Sequence, residues 1–186
     1  MVLNEVEKQL GELEKAELEA PSGTPPAETY TQLLAIYLYQ NDMCNAKFLW
    51  KRIPASVKMG NFELLKIWRV GQRMWRRDWP AVHEELNAEW SEDVAEIMNA
   101  LKESVRERAM SLISEAYSSV DLSVVGSMTG LSPEQARVLV VERGWSLDEM
   151  TVHPCKSDKE QANPAQASLT EDQLYKLTQF VSFLEN

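Results

Sequence analysis

Apolar positions recur along this chain at spacings of three and four, the period of a helix with one buried face. Leu3, Val6, Leu10, Leu13 and Ala16 predict an amphipathic helix over 3–19. The stretch Ala20-Pro-Ser-Gly-Thr-Pro-Pro26 ends it as a linker. Tyr30, Leu33, Leu34, Tyr37 and Leu38 mark a second helix. Asn41-Asp42 is a short break in which Asp42 can cap a third, carrying Met43, Ala46, Leu49 and Trp50 and stopping near Ile53-Pro54. Two antiparallel helices on a tight turn make one unit of a helical-repeat array, although no clean sequence period accompanies them. Over 61–77, Leu64, Trp68, Gly71 and Trp75 fall on one face, with Lys66, Arg69, Arg73, Arg76 and Arg77 opposite. Asp78 is placed to cap a short helix to about Ala88, with Pro80 tolerated in its first turn. Ser91 is placed to cap a long one. Its stripe of Val94, Ile97, Met98, Leu101, Val105, Leu112, Ile113 and Tyr117 runs to about Ser118.

After Ser119 the pattern shortens. Asp121 can cap a helix ending at Gly130. Ser132-Pro133-Glu134-Gln135 reads as a capping box with Pro at the first helical position. The helix it opens turns Ala136, Leu139 and Val140 inward and ends at Gly144. Trp145 to Val152 reads as a short extended pair with its turn at Asp148-Glu149. Helix, tight turn, helix, hairpin is the order of a winged helix. Residues 153–167 are polar, with Pro154 and Pro164, and read as a tether. Thr170-Glu-Asp-Gln173 is a second capping box, opening a last helix with Leu174, Leu177, Val181 and Leu184 on one face. Such a helix is not stable alone and is expected to dock. The expected architecture is therefore mainly α. Helical repeats fill 1–118, a winged helix 119–152, a tether 153–167 and an assembly helix 168–186.

Charge changes this picture more than size does. The 186 residues are 44% hydrophobic, enough for a core, and carry a formal net charge of −10. That balance argues against a nucleic-acid backbone as main partner. Residues 47–77 hold nine Lys/Arg and one Glu, net +8, while 78–101 hold seven Asp/Glu and no cation, net −7. Adjacent segments of opposite sign are expected to fold together or to face a polar partner. The tryptophans over 61–77 read as core, opposite a cationic face. Within the helix Ser132–Arg143, Arg137 and Arg143 are cancelled by Glu134 and Glu142, too little charge for a DNA reader.

The longest apolar run, Leu33 to Tyr39, is seven residues against the ~20 of a spanning helix, so no membrane partner is expected. The first turns carry Glu5, Glu7 and Glu12 and no secretory h-region. Two cysteines, Cys44 and Cys155, make no disulfide scaffold and fit a reducing compartment. Cys44 is expected in the interior of the first helix pair. The two histidines, His83 and His153, are far apart, and His153-Pro154-Cys155 falls short of a four-ligand zinc site. Seven single glycines write no phosphate-binding loop. Ligand and nucleophile supply argue against an enzyme, and no metal or cofactor is expected.

The 26-residue run from Thr29 to Pro54, with Val70–Pro80, Trp90–Val94, Arg108–Val120 and Leu177–Asn186, resembles the PCI-domain family, in its COP-nine signalosome branch. A proteasome regulatory-particle subunit shares the plan but not the wording. The resemblance implies helical repeats followed by a winged helix that packs beside others in an arc. It also implies a C-terminal helix joining a shared bundle. It implies a non-catalytic scaffold subunit of a hetero-oligomer, in cytoplasm and nucleus, whose complex removes the ubiquitin-like modifier NEDD-eight from cullins. The metalloprotease that does so sits on another subunit, and its His-x-His is absent here. Partner contacts would fall on Leu139, Val140, Trp145 and Met150 of the winged helix. In the last helix they would fall on Leu174, Leu177, Val181 and Leu184. Two rival readings are a winged-helix nucleic-acid binder and a subunit of a sister complex, the proteasome lid or a translation initiation factor.

Overall fold

A computed structural model describes residues 2–20 and 23–155, together with Tyr175 and Thr178. The chain divides into two units, 1–154 and 155–186. The expected assembly helix and most of the tether lie outside the described residues.

The first unit is built on helix α2, Ala27–Tyr39. Its sequence is apolar on nearly every side, and Tyr30, Leu33, Leu34, Ala35, Ile36, Tyr37 and Leu38 are all buried. A helix apolar all round needs neighbours all round. Those neighbours are α1 (Val2–Leu18), α3 (Met43–Arg52), α5 (Phe62–Arg76) and α7 (Glu92–Ala116). A short α4 (Ala55–Gly60) leads into α5, and α6 (Trp79–Leu86) packs between α5 and α7. Asp42 caps α3 through the Asn45 amide at 2.9 Å, as its position predicts.

Polar ties hold the outer helices to α2. Tyr37 Oη donates to Glu14 at 2.7 Å, and Arg52 grips Glu17 with two nitrogens at 3.0 and 2.8 Å. Burial and the Glu14 carboxylate raise the Tyr37 hydroxyl well above the usual phenol range, so it stays a donor. The acidic first helix thus meets the cationic belt.

Helix α7 is the longest, 25 residues or roughly 37 Å at 1.5 Å per residue. Val94, Met98, Leu101 and Val105 lie in the α2 core. Met110 and Ile113 belong to a second core with Leu122, Val125, Ala136, Val140, Trp145 and Val152. That core belongs to β1 (Val120–Asp121), α8 (Leu122–Thr129), α9 (Pro133–Glu142), β2 (Ser146–Asp148) and β3 (Thr151–His153). The sheet is antiparallel in the order β1-β3-β2, with Val120 and Leu147 both opposite Val152. Asp121 caps α8, and Gly130 ends it with φ 67°. Both halves of the Ser132/Gln135 capping box form.

Several expectations are corrected. α4 and β1 went unread because each is too short to show a period. On α5 the buried positions are Leu64, Ile67, Val70, Gly71 and Met74; Trp75 is 55% exposed. The apolar stripe lies one position earlier than the tryptophans suggested. Leu112 and Tyr117 lie outside the second core, exposed at the end of α7. Ser91 precedes α7 but its side chain caps nothing. Its hydroxyl donates to Glu63 at 2.8 Å instead, tying α7 to α5. The Asp78 side chain likewise makes no capping bond. The hairpin turn is Glu149-Met150, one residue later than expected, and Glu149 takes φ 50°. Cys44 is exposed rather than interior.

Candidate protein-docking surfaces

The module formed by β1, α8, α9 and the hairpin stands on α6 and α7 through a polar junction. His83 on α6 is buried, and its Nε2 donates to Met128 O at 3.1 Å. Its Nδ1 is buried without a partner among the described residues. Desolvation, with Arg106 and Lys102 nearby, pulls the imidazole below its ordinary pKa, so it is neutral. Arg106 Nε donates to Thr129 O at 3.3 Å, and its guanidinium also holds Glu103 at 2.7 Å. Arg143 at the end of α9 pairs with Glu107 of α7. Sequence reasoning treated His83 only as a missing zinc ligand. Its role shows only once α6 and α8 are brought together.

The predicted contact residues fall in two classes. Val140 is fully buried and Trp145 is 7% exposed, so both build the module core. Leu139 is half-buried against that core, and Met150 at the turn is half-exposed. Leu174, Leu177, Val181 and Leu184 lie outside the described residues. The surface of α9 instead presents Val138 and Val141, 58% and 62% exposed. At 100° per residue Val138 and Val141 fall on the face away from the inward Ala136 and Val140 stripe, which was readable in the sequence.

The hairpin beside α9 is braced rather than loose. Arg137 Nη2 donates to Glu149 O at 3.4 Å, and the Leu122 amide donates to Met150 O at 2.8 Å. A braced turn holds Met150 in a fixed place beside α9. Among the described residues no group of three or more His, Cys, Asp or Glu could hold a metal. No helix of the described residues is long and apolar enough to cross a membrane.

A second surface lies on α3, α4 and α5. Trp50 and Trp68 stack with centroids 4.8 Å apart and planes within 6°. Lys58 covers Trp50 at 4.8 Å, Lys47 covers Trp75 at 4.7 Å and Lys66 covers Phe62 at 5.2 Å. Trp50 and Trp68 pack partly buried against the first core while Trp75 is exposed, and they do not lie opposite all the cations, because lysines of neighbouring helices fold over Trp50 and Trp75. The belt is not neutralised by 78–101. Arg73 reaches Asp78 only at 3.5 Å, and Arg69, Arg76 and Arg77 make no ion pair among the described residues.

Comparison with known proteins adds what geometry does not. A family model described as the CSN8/PSMD8/EIF3K family matches residues 26–165. The chain is 44% identical over 185 residues to the COP9 signalosome complex subunit 8 of Danio rerio, covering 97% of this chain and 94% of that one. It is 44% identical over 176 residues to the subunit 8 of Xenopus tropicalis, covering 93% of this chain and 90% of that one. With the subunit 8 of Arabidopsis thaliana it shares 30% identity over 151 residues, 81% of this chain and 76% of that one.

Proposed function

The chain belongs to the CSN8/PSMD8/EIF3K family, and from that membership we propose that it is a signalosome subunit, a non-catalytic scaffold. The observation that carries this reading is the likeness to relatives named subunit 8, which extends over nearly the whole chain. In this reading residues 1–118 are the helical-repeat part of a PCI domain and 119–152 its winged helix. Residues 153–167 are a tether, and 168–186 an assembly helix that enters a bundle of equivalent helices through Leu174, Leu177, Val181 and Leu184. The complex acts on neddylated cullins through a metalloprotease on another subunit, in cytoplasm and nucleus.

The winged helix docks on its neighbour through the exposed α9 valines and Met150. Val140 and Trp145 hold that surface in shape from beneath. Apolar side chains presented singly on a soluble surface need no explanation, but two on one helix beside a braced Met turn fit a partner's apolar patch. The alternative of a DNA reader finds no support in the α9 charges, which cancel.

The test is co-purification with the other signalosome subunits. Val138→Glu with Val141→Glu changes only exposed positions, so the monomer keeps its circular-dichroism spectrum and melting temperature while assembly is lost. Removal of residues 168–186 separately weakens assembly. Full incorporation of both variants would sink the proposed interfaces. Recovery with proteasome-lid or initiation-factor subunits would sink the assignment itself.

A further inference from the structure

Arg108 is placed at a cost that the described residues do not recover. Arg108, on α7, donates Nε to Ser104 O of its own helix at 3.2 Å. Its Nη2 is buried and has no hydrogen-bond partner among the described residues. Desolvation alone pulls its pKa down, with no carboxylate acting against it. Buried guanidinium nitrogens are ordinarily paired, because an unmade bond to a charged group forfeits its full hydration.

Arg108 lines a groove of about 680 Å³ that Arg77, Trp79 and Leu112 also line. Trp75 forms one wall of it. The other side of Trp75 walls a second groove of about 200 Å³, bounded by Lys47 and Arg76. The two grooves share Met43 and Trp75, so they form one trough crossed by a Trp ridge. Among the described residues neither is lined by an Asp or Glu, in a chain whose acids outnumber its bases by ten. The floor is apolar and the flanks are cationic.

We propose that this trough, from Lys47 across Trp75 to Arg108, binds an acidic segment of a partner protein whose carboxylate pairs with Arg108 and whose apolar side chain packs against Trp75. Charge complementarity selects the occupant. A carboxylate would supply Arg108 with the bond it lacks, and further acids would meet Lys47, Arg76 and Arg77. A single-stranded nucleic acid fits less well. Lys47 already covers the Trp75 ring that a base would stack on, and Met43 and Leu112 offer nothing to phosphates. The surface is separate from the α9 valines, and the proposal stands whether or not the chain assembles into a signalosome.

The test selects a phage-displayed random dodecapeptide library on the full-length chain, then measures the recovered peptides by fluorescence anisotropy. The expected consensus is Asp/Glu-rich with one aromatic or aliphatic anchor. Arg108→Met weakens binding at least ~10-fold, the scale of one lost charge-assisted hydrogen bond. The same variant melts no lower than the parent, because it removes an uncompensated buried charge. A residue kept for folding would instead lower the melting temperature. Trp75→Ser, at an exposed position, weakens binding without reference to Arg108 and serves if Arg108→Met does not fold. Three results would each overturn the proposal. One is a library that enriches no acidic peptide; another is binding that Arg108→Met or Trp75→Ser leaves unchanged. The third is tighter Arg108-dependent binding of a dT oligonucleotide, or of a second copy of this chain.

Discussion

Gly130 ends α8 in the left-handed region, and the space its side chain would need is taken. A Cβ there would lie 2.3 Å from His83 Cγ, 2.5 Å from His83 Cβ and 2.7 Å from His83 Nδ1. Gly130→Ala therefore meets two costs. The left-handed backbone costs an alanine about 1–2 kcal/mol. Forcing a methyl into a packed site costs about 1–3 kcal/mol more, and a displaced His83 also loses its bond to Met128 O. The total is about 2–5 kcal/mol. Gly144 separates the two terms, because it has φ 72° but nothing within 4 Å of its would-be Cβ. Gly144→Ala should cost only the backbone term. The assay is equilibrium urea unfolding followed by tryptophan fluorescence, to which buried Trp145 contributes from the affected module. A double variant of Gly130→Ala with His83→Ala should recover part of the clash, as a positive coupling in a mutant cycle. If Gly130→Ala and Gly144→Ala destabilise equally, the His83 contact is not what Gly130 serves, and the junction argument fails.

Three further outcomes follow from the same geometry. Because His83 is held neutral, its folded pKa lies below the unfolded 6.5. Its contribution is therefore intact above pH ~6.5 and is lost as pH falls through 6.5 toward the folded value, at up to about 1.4 kcal/mol per pH unit. Urea midpoints at several pH values check this, and a His83→Gln variant with the same acid slope would contradict it. Ser132→Ala removes one half of the capping box and should cost about 1 kcal/mol, read from thermal melts; no change would mean that α9 is held entirely by packing. Trp50→Leu with Trp68→Leu should show a coupling of about 0.5–1.5 kcal/mol for the stacked pair, and additive effects would deny the stack any energetic role.

The sequence reading was strongest where local chemistry settles the backbone. Asp42, Asp121 and Ser132 carry their capping role in their own side chains, and Gly130 and Gly144 end helices because they can take a positive φ. It was weakest where a position is decided by a distant neighbour. Ser91 is a good cap by type, yet Glu63 lies 28 residues back and takes its hydroxyl. Trp75 belongs to an apolar stripe by residue type, but α2 and α5 approach at Gly71 instead. A Cβ at Gly71 would lie 3.0 Å from Leu38 Cδ2, so the seam lies under the glycine and the adjacent Trp75 is left outside. For the docking surface, the helices and the hairpin were readable. The inward face of α9 was readable too, since Ala136 and Val140 are buried as their spacing predicts; what the spacing does not show is that Val138 and Val141 are left exposed with no neighbour to cover them among the described residues.

The two apolar cores look separable in sequence, since the pattern shortens after Ser119, but one helix runs through both. Val105 closes the first and Met110 opens the second, little more than one turn later on α7. A continuous helix does not bend at that point without breaking backbone hydrogen bonds. His83, Arg106 and the Arg143–Glu107 pair then fasten the module to α6 and α7. The orientation of the α9 valines is thus inherited from the helices that surround α2. An exposed ion pair such as Arg143–Glu107 adds at most about 1 kcal/mol. The shared helix and the buried His83 contact must therefore carry most of that rigidity. The proposed docking face, fixed in this way, would present its apolar residues without reordering on contact, and so would keep the association free energy that a hinged module spends on becoming ordered.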